Sequence, residues 1–208
     1  MIQIRHERFA DFDAREALLD AAFGESRYRK SSERLREDRL PAEGLSFIAS
    51  EGKRVIGTAR LWDVACGNEK PALLLGPVAV ADDCRNLGIG GALVRRAIQA
   101  ARKLGHGAVV LVGDPEYYSR FGFSGEKTGA LWMPGPFERH RLLGRELKAG
   151  ALDGARGMIA PAGRLEPTPD LAALGAQHAG PAVGARPAPR KRLQNRHKKR
   201  HRLDAAAC

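Results

Sequence analysis

The sequence is poor in cysteine and lacks the patterns that bind structural metals. Its three cysteines, Cys66, Cys84 and Cys208, are far apart and form no CxxC pair. Such a set argues against a disulfide framework and against a zinc site, and it fits a reducing compartment. No HExxH motif occurs, and His197 and His201 lack further ligands nearby. We therefore expect no metal cofactor.

Long apolar segments are also missing. The chain begins MIQIRHERF, with charge from Arg5 onward, and nowhere is there an apolar run of the roughly 18 residues that a bilayer requires. These two absences argue against a signal peptide and against a membrane-spanning helix. We expect a cytoplasmic protein that has no membrane partner.

Positive charge is in excess, but it is concentrated near one end. The net charge is +11, and the segment from Glu166 to Cys208 holds nine Lys or Arg residues against three Asp or Glu residues. Ala, Gly and Pro dominate this segment before RKRLQNRHKKRHR, so its apolar area is too small to offset the entropy of ordering. We predict a folded domain at residues 1–165 and a disordered basic tail at residues 166–208. The tail favours weak contact with nucleic acid or another polyanion, and a solvated charge run without a role is the alternative.

The first third of the chain shows strand and helix patterns in turn. Residues 2–9 alternate as a short strand does, and residues 12–23 have apolar side chains at near-helical spacing. ERLREDRL predicts a short charged helix that ends at Pro41, and two β-type runs flank the turn-forming Glu51-Gly52-Lys53 as in a hairpin. The sheet is expected to begin antiparallel. After Phe123 the patterns predict further strands and a closing hairpin.

The most informative segment runs from Ala72 to Phe123. ALLLGPVAV predicts a strand buried on both faces, and Gly76-Pro77 within it favours a bulge or a splay, because proline cannot join a regular ladder. A glycine-rich turn and an amphipathic helix from Gly91 to Leu104 follow, and GAVVLVGD then predicts a returning strand. The order indicates a β-α-β unit.

The turn from Arg85 to Gly91 has the composition of an anion site. Its glycines permit positive φ and close approach of a ligand, so that backbone N–H groups can converge on an anion where the helix begins. We expect a pyrophosphate there, with Arg85 and either Arg95 or Arg96 as further contacts. A dinucleotide fingerprint would need glycine at Leu93, and the Gly-Lys-Ser/Thr of a P-loop is absent. A tight turn without a ligand is the alternative.

In their order, LGPVAV, RNLGIGGALV and GDPEYYSRFGF resemble the GCN5-related N-acetyltransferase (GNAT) superfamily, and in particular its branch of predicted small acetyltransferases. The match spans nearly all of residues 1–165. The resemblance implies an α+β fold with a central, mixed, mostly antiparallel twisted sheet, splayed after Gly76-Pro77 and flanked by helices. It also implies direct transfer of an acetyl group from acetyl-CoA to a primary amine. A monomer or a homodimer is expected.

The same resemblance implies roles for particular residues. The backbone at Val78, Ala79 and Val80 is expected to bind the pantetheine arm, and the Val78 N–H to hold the developing oxyanion. Tyr118, four residues before Gly122-Phe123, is expected to protonate the departing thiolate, whereas a packing role beside Phe121 and Phe123 is its alternative. The residues implied to contact the cofactor are Val78, Ala79, Val80, Arg85, Asn86, Leu87, Gly88, Ile89, Gly90, Gly91, Tyr118 and Phe121.

The sequence identifies neither a general base nor the acceptor. Asp63, Glu69 and Asp82 lie in or near the central strands, but each is more typical of an exposed charge, and we assign none of them. Cys84 has no paired histidine, so we expect a bystander. The segments Ser26 to Leu40 and ALWMPGPF are expected to set acceptor specificity. A non-catalytic acyl-CoA sensor, or a nucleic-acid-associated protein of the same fold, stays open as the alternative function.

Overall fold

The computed structural model describes residues 1–167, and the statements below concern that part of the chain. Nearly all of the predicted tail at residues 166–208 lies outside it. The described elements are β1 (Ile2–His6), α1 (Phe12–Phe23), β2 (Ser46–Glu51), β3 (Arg54–Cys66), β4 (Pro71–Val80), α2 (Ile89–Lys103), β5 (Ala108–Val112), α3 (Pro115–Ser119), β6 (Leu131–Trp132), β7 (Leu142–Glu146) and β8 (Gly157–Pro161). No helix in residues 1–167 is long and apolar enough to cross a membrane.

Most strands form one mixed sheet in the order β1-β2-β3-β4-β5-β7. Neighbours along this path are antiparallel except β4 and β5, which run parallel. Strand β8 pairs with the far end of β3, and the short β6 pairs parallel with β8. The expected mixed, mostly antiparallel sheet flanked by helices is confirmed.

Helices α1 and α2 cover opposite faces of β4, because successive side chains of a strand point to opposite faces. Val78 and Val80 pack into the cluster that contains the buried stripe of α2, whereas Ala79 packs with Leu18 and Leu19 of α1. Helix α2 approaches the sheet closely over Gly57, where an added Cβ would lie 3.0 Å from Leu93 Cδ1. The fit of this helix therefore depends on a glycine in β3.

The interruption at Gly76-Pro77 separates β4 from β5. In the pairing of β3 with β4, Ala59 faces Val78 but Leu61 faces Leu75, so that Gly76 and Pro77 bulge out opposite a single residue. The parallel pairing of β4 with β5 is limited to Leu73 and Leu74, although β4 continues to Val80. The expected bulge and splay are confirmed.

Two of the sequence expectations are wrong. ERLREDRL forms only a single 3-10 turn at Glu33–Leu35, because Leu35 alone in this turn is buried and one apolar side chain does not make an amphipathic stripe. No closing hairpin forms among the last described strands, since β7 pairs with β5 whereas β8 pairs with β3 and β6. Buried Leu142 and Leu143 hold β7 at the edge of the main sheet.

Candidate active site

The opening between β4 and β5 leads to two cavities. The first has a volume of about 240 Å³ and lies at the divergence itself. It is lined by Phe23, Arg27, Lys30, Ser32, Arg36, Leu74, Leu75, Gly76, Pro77, Val78, Val112, Gly113, Asp114, Tyr118 and Arg141. The second has a volume of about 460 Å³ and lies at the end of β4, where the glycine-rich turn enters α2. It is lined by Val80, Cys84, Arg85, Asn86, Gly88, Ile89, Gly90, Gly91, Arg95, Tyr117, Arg120 and Phe121. We call them the cleft cavity and the turn cavity.

Backbone amides dominate the chemistry of the turn cavity. Asn86 and Gly88 have φ values of 65° and 76°, in the left-handed region that glycine favours and asparagine tolerates. Helix α2 begins at Ile89, so the N–H groups of its first turn have no acceptor within the helix. These donors and the positive end of the helix dipole make the cavity suited to an anion.

The arginines near the turn differ in what they contact. Arg85 Nη2 lies 2.7 Å from Asp82 Oδ1 in an exposed salt bridge. Of the two arginines considered on α2, Arg95 lines the turn cavity, whereas Arg96 lies over Phe47 and its buried Nε has no partner. Arg120 also lines the cavity, and sequence reasoning missed it.

Tyr117 and Arg120 share a surface because they lie three residues apart at α3. The Arg120 guanidinium lies 4.8 Å from the centre of the Tyr117 ring. The Tyr117 hydroxyl is 3.2 Å from where a Cβ on Gly90 would stand. The i, i+3 spacing of Tyr117 and Arg120 was the sequence signal that could have placed these two side chains on the same surface. Leu87 is exposed and, unlike its neighbours Asn86 and Gly88, does not line the cavity.

Tyr118 lines the cleft cavity, whereas its neighbour Tyr117 lines the turn cavity. The Tyr118 ring also packs edge-on against Phe123, with the ring centres 5.9 Å apart. The packing role considered as the alternative for Tyr118 is therefore present as well. A Cβ on Gly113 would lie 2.4 Å from Tyr118 Cε2, which shows how closely the ring approaches the end of β5. Burial, and secondarily the charge of a Tyr117 phenolate, raises the pKa of Tyr118 to about 12. The phenol therefore stays protonated at neutral pH.

The residues considered for the pantetheine arm follow the bulge in β4. Val78 lines the cleft cavity and Val80 lines the turn cavity, so the strand connects the two. Ala79, between them, faces α1. Within residues 1–167, the edge of β4 that faces β5 has no strand partner beyond Leu74. Such an edge offers backbone donors and acceptors to an extended ligand.

None of the three carboxylates considered as a base lines the cleft cavity. Asp82 is paired with Arg85, Glu69 is exposed in a turn, and Asp63 is half-buried in β3. Of the described residues, Asp114 is the one carboxylate that lines this cavity, and its Oδ1 accepts the Glu116 N–H at 3.0 Å at the start of α3.

Neither Cys84 nor Cys66 is activated as a nucleophile. Cys84 lines the turn cavity, but burial raises the pKa of its thiol. Burial also raises the pKa of Cys66 to about 12. A thiol that stays protonated is a poor nucleophile.

Residues 1–167 contain no cluster of three His, Cys, Asp or Glu side chains that could hold a metal ion.

Most cationic residues of the cleft cavity come from the segment between α1 and β2. Arg27, Lys30 and Arg36 lie on that segment, within the range Ser26 to Leu40 that the sequence associates with the acceptor, and Arg141 precedes β7. The other such segment, ALWMPGPF, contributes no residue to this cavity. Sequence reasoning missed Arg141, because nothing in the local pattern connects it with a site more than a hundred residues earlier.

Comparisons with known proteins agree with this geometry. The model of the Acetyltransferase (GNAT) family matches residues 12–123. The uncharacterised N-acetyltransferase YhbS of Escherichia coli strain K12 is 31% identical over 157 residues, which are 75% of this chain and 93% of YhbS.

Two solved structures of similar proteins hold coenzyme A or its acetyl ester. The crystal structure of YhbS from Escherichia coli in complex with CoA has a TM-score of 0.66 and 29% identity, covering 77% of this chain and 89% of that one. A GNAT family acetyltransferase from Brucella melitensis in complex with acetyl-CoA has a TM-score of 0.52 and 28% identity, covering 74% of this chain and 99% of that one.

Proposed function

The chain belongs to the acetyltransferase (GNAT) family, and on that premise we propose that it moves the acetyl group of acetyl-CoA directly to a primary amine. The resemblance noted in the sequence is thereby confirmed, and acetyl-CoA is the acyl donor. The observation that carries the proposal is the divergence of β4 from β5, with the turn cavity at one end and the Tyr118 side of the cleft cavity at the other. An extended donor that ends in a thioester suits such a path.

We propose that the turn cavity binds the pyrophosphate of the donor. The first turn of α2 supports this, since Ile89, Gly90 and Gly91 line the cavity at the positive end of the helix dipole, where backbone N–H groups lack a helical acceptor. Arg95 and Arg120 line the same cavity and carry the positive charge that a diphosphate requires. Arg85 also contributes in this proposal, after its guanidinium leaves the exposed Asp82 carboxylate and binds a phosphate instead.

We propose that the pantetheine arm lies along the free edge of β4, where it takes the place of a neighbouring strand. Its amide groups would then pair with backbone groups of Val78, Ala79 and Val80. This register brings the thioester to Val78, whose N–H is the proposed donor to the carbonyl oxygen. In direct transfer the oxygen gains negative charge as the amine attacks, so this hydrogen bond is stronger in the transition state than in the ground state.

The proposed reaction forms the C–N bond and breaks the C–S bond, and the attacking nitrogen loses one proton to water as the amide forms. The electron pair of the C–S bond leaves with sulfur, and the Tyr118 phenol donates a hydrogen bond and then its proton to that sulfur. A phenol of pKa about 12 is a weak acid beside a free thiol of pKa about 8.5. Proton transfer from this phenol therefore requires that burial in the cleft also raise the pKa of the CoA thiol. We assign no side chain as general base.

The remaining expectations rest on composition. We propose that residues 1–165 are the catalytic domain, that the protein is cytoplasmic, and that it acts as a monomer or a homodimer. For residues 166–208 we propose weak polyanion contact, which the nine Lys or Arg residues against three acidic ones support. An electrophoretic shift of nucleic acid that the full chain produces and a chain ending at Leu165 does not would support this contact. No shift at low salt would remove it.

A transfer screen tests the proposed function. We expect release of the CoA thiol from acetyl-CoA above the rate of hydrolysis when amino acids, polyamines, aminoglycosides and peptide N-termini are offered, with the acetylated amine identified by mass spectrometry. Binding of acetyl-CoA without transfer to any member of the panel would instead support the non-catalytic acyl-CoA sensor.

The variant Tyr118→Phe tests the proposed acid. We expect kcat to fall by about tenfold to a thousandfold while the Kd of acetyl-CoA is unchanged, because only the proton donor is lost. With a pKa of about 12, Tyr118 stays in its donor form up to about pH 10, so it produces no falling limb in the wild-type kcat profile below that pH. An unchanged kcat would exclude the acid role. Tyr117→Phe is the control variant. Because Tyr117 lines the turn cavity, we expect its loss to change the Kd of acetyl-CoA and not kcat.

The variant Gly88→Val tests the turn cavity. A β-branched residue at a φ of 76° is strained by roughly 1–2 kcal/mol, and the backbone N–H groups of the turn lose their alignment. We expect acetyl-CoA to bind at least about tenfold more weakly by calorimetry. The matched control is Gly52→Val in the β2–β3 hairpin, where φ is 57° and an added Cβ likewise meets nothing within 4 Å. Equal affinities in the two variants would remove the turn from the donor site.

A further inference from the structure

The cleft cavity contains a strong excess of positive charge. Its lining includes the four cations Arg27, Lys30, Arg36 and Arg141 but one carboxylate, Asp114, which caps α3. With a volume of about 240 Å³, the cavity accepts only a small molecule. The charges of its walls therefore lie close to any ligand that enters.

Two of the four cations are neutralised by neighbours. Arg27 forms salt bridges with Glu16 at 2.6 Å and with Asp20 at 2.8 Å. Arg36 pairs with Glu33 at 2.7 Å. Glu16 and Glu33 line an adjoining cavity and not the cleft cavity, so they compensate these guanidinium groups from behind.

Lys30 and Arg141 are not compensated in this way. Lys30 forms no ion pair within residues 1–167, and its Nζ lies over the Phe23 ring, 4.5 Å from the ring centre. Arg141 reaches the exposed Glu138 only at 3.4 Å, and its Nε donates a long 3.4 Å bond to the Gly113 carbonyl. The Gly113 N–H in turn donates to the Arg141 carbonyl at 2.9 Å, which fixes the Arg141 backbone beside the end of β5.

Two of the other cations act on Lys30. Burial lowers the pKa of Lys30, and the positive charges of Arg36 and Arg141 lower it further. Lys30 therefore faces more positive charge than the one carboxylate of the cavity, Asp114, can balance. An anionic ligand group would relieve this repulsion.

We propose that the acceptor is a small primary amine that also carries a carboxylate or a phosphate, and that Lys30 and Arg141 bind this anionic group in the cleft cavity. The inference rests on the proposed function and specifies its acceptor. The anionic group is held between Lys30, on the α1–β2 segment, and Arg141, beside the end of β5, and the amine faces Val78, which lines the same cavity.

The same charges explain how the amine reacts without an assigned base. A positive field disfavours the ammonium form and lowers the pKa of a bound amine, so that more of it is present as the neutral nucleophile. Polyamines, in contrast, carry further positive charge and are repelled. The cavity therefore selects for acidic amines and against basic ones.

Matched probes test the selection by binding and by turnover. The phosphate arm compares O-phosphoethanolamine with ethanolamine, the carboxylate arm compares β-alanine with β-alaninamide, and spermidine is the cationic probe. Ligand-observed NMR on the CoA-saturated full chain measures binding, and initial rates with acetyl-CoA measure kcat/KM. We expect an acidic member to be favoured at least about tenfold over its neutral partner. Equal or better binding of the neutral or cationic probes, or no binding of either acidic probe, would overturn the inference.

Variants assign the preference to the named residues. Lys30→Gln and Arg141→Gln should each lower the acidic preference by about threefold to tenfold, and the double variant should abolish it. Arg29→Gln is the matched control, because Arg29 is adjacent to Lys30 and exposed as Lys30 is, but does not line the cavity. An acidic preference that persists in the double variant contradicts the assignment.

The outcomes separate this inference from the proposed function. Binding of acidic probes without acetyl transfer to any amine would remove the proposed function and leave the anion site intact. Transfer to neutral amines without an acidic preference would leave the function intact and remove the anion site. Melting temperatures of each variant show that a lost preference is not a lost fold.

Discussion

The organisation of the site depends on the parting of two parallel strands. Gly76 and Pro77 bulge from β4 and shift its register against β3, after which β4 continues without β5 beside it. Trp62 Nε1 donates to the Gly76 carbonyl at 2.6 Å, so the bulged backbone keeps a partner. An unpaired strand edge normally invites association with another strand. Here the unpaired edge of β4 borders the cleft cavity between β4 and β5.

The two faces of the sheet border different parts of the proposed active site. On one face lie α2 and the aromatic residues after β5, which surround the turn cavity and carry Tyr118. On the other lie α1 and the segment that follows it, which brings cations to the cleft cavity. In the proposed reaction, donor and acceptor therefore approach the divergence from different faces of the sheet.

Local patterns predicted the elements whose burial is periodic. The predicted stripe of Leu93, Ala97, Ala101 and Leu104 was sufficient for α2, although Leu104 is exposed; the helix begins two residues before the predicted start and ends one before the predicted end. The alternation on either side of Gly52 was sufficient for the β2–β3 hairpin. Prediction was wrong where pairing depends on distant partners. The β7 segment reads as half of a closing hairpin, but it pairs with the distant β5, and its two leucines are buried there.

By itself the sequence determined the proposed donor site, because glycine spacing, a helix start and the Tyr118 position are local and sit on contiguous elements. Only the tertiary structure decided which arginine of α2 lines the turn cavity, since Arg95 and Arg96 are adjacent in the chain but differ in surroundings. It also brought together the residues of the proposed acceptor site. Lys30 and Arg141 are far apart in sequence and meet at one cavity, and electrostatic energy depends on distance through space.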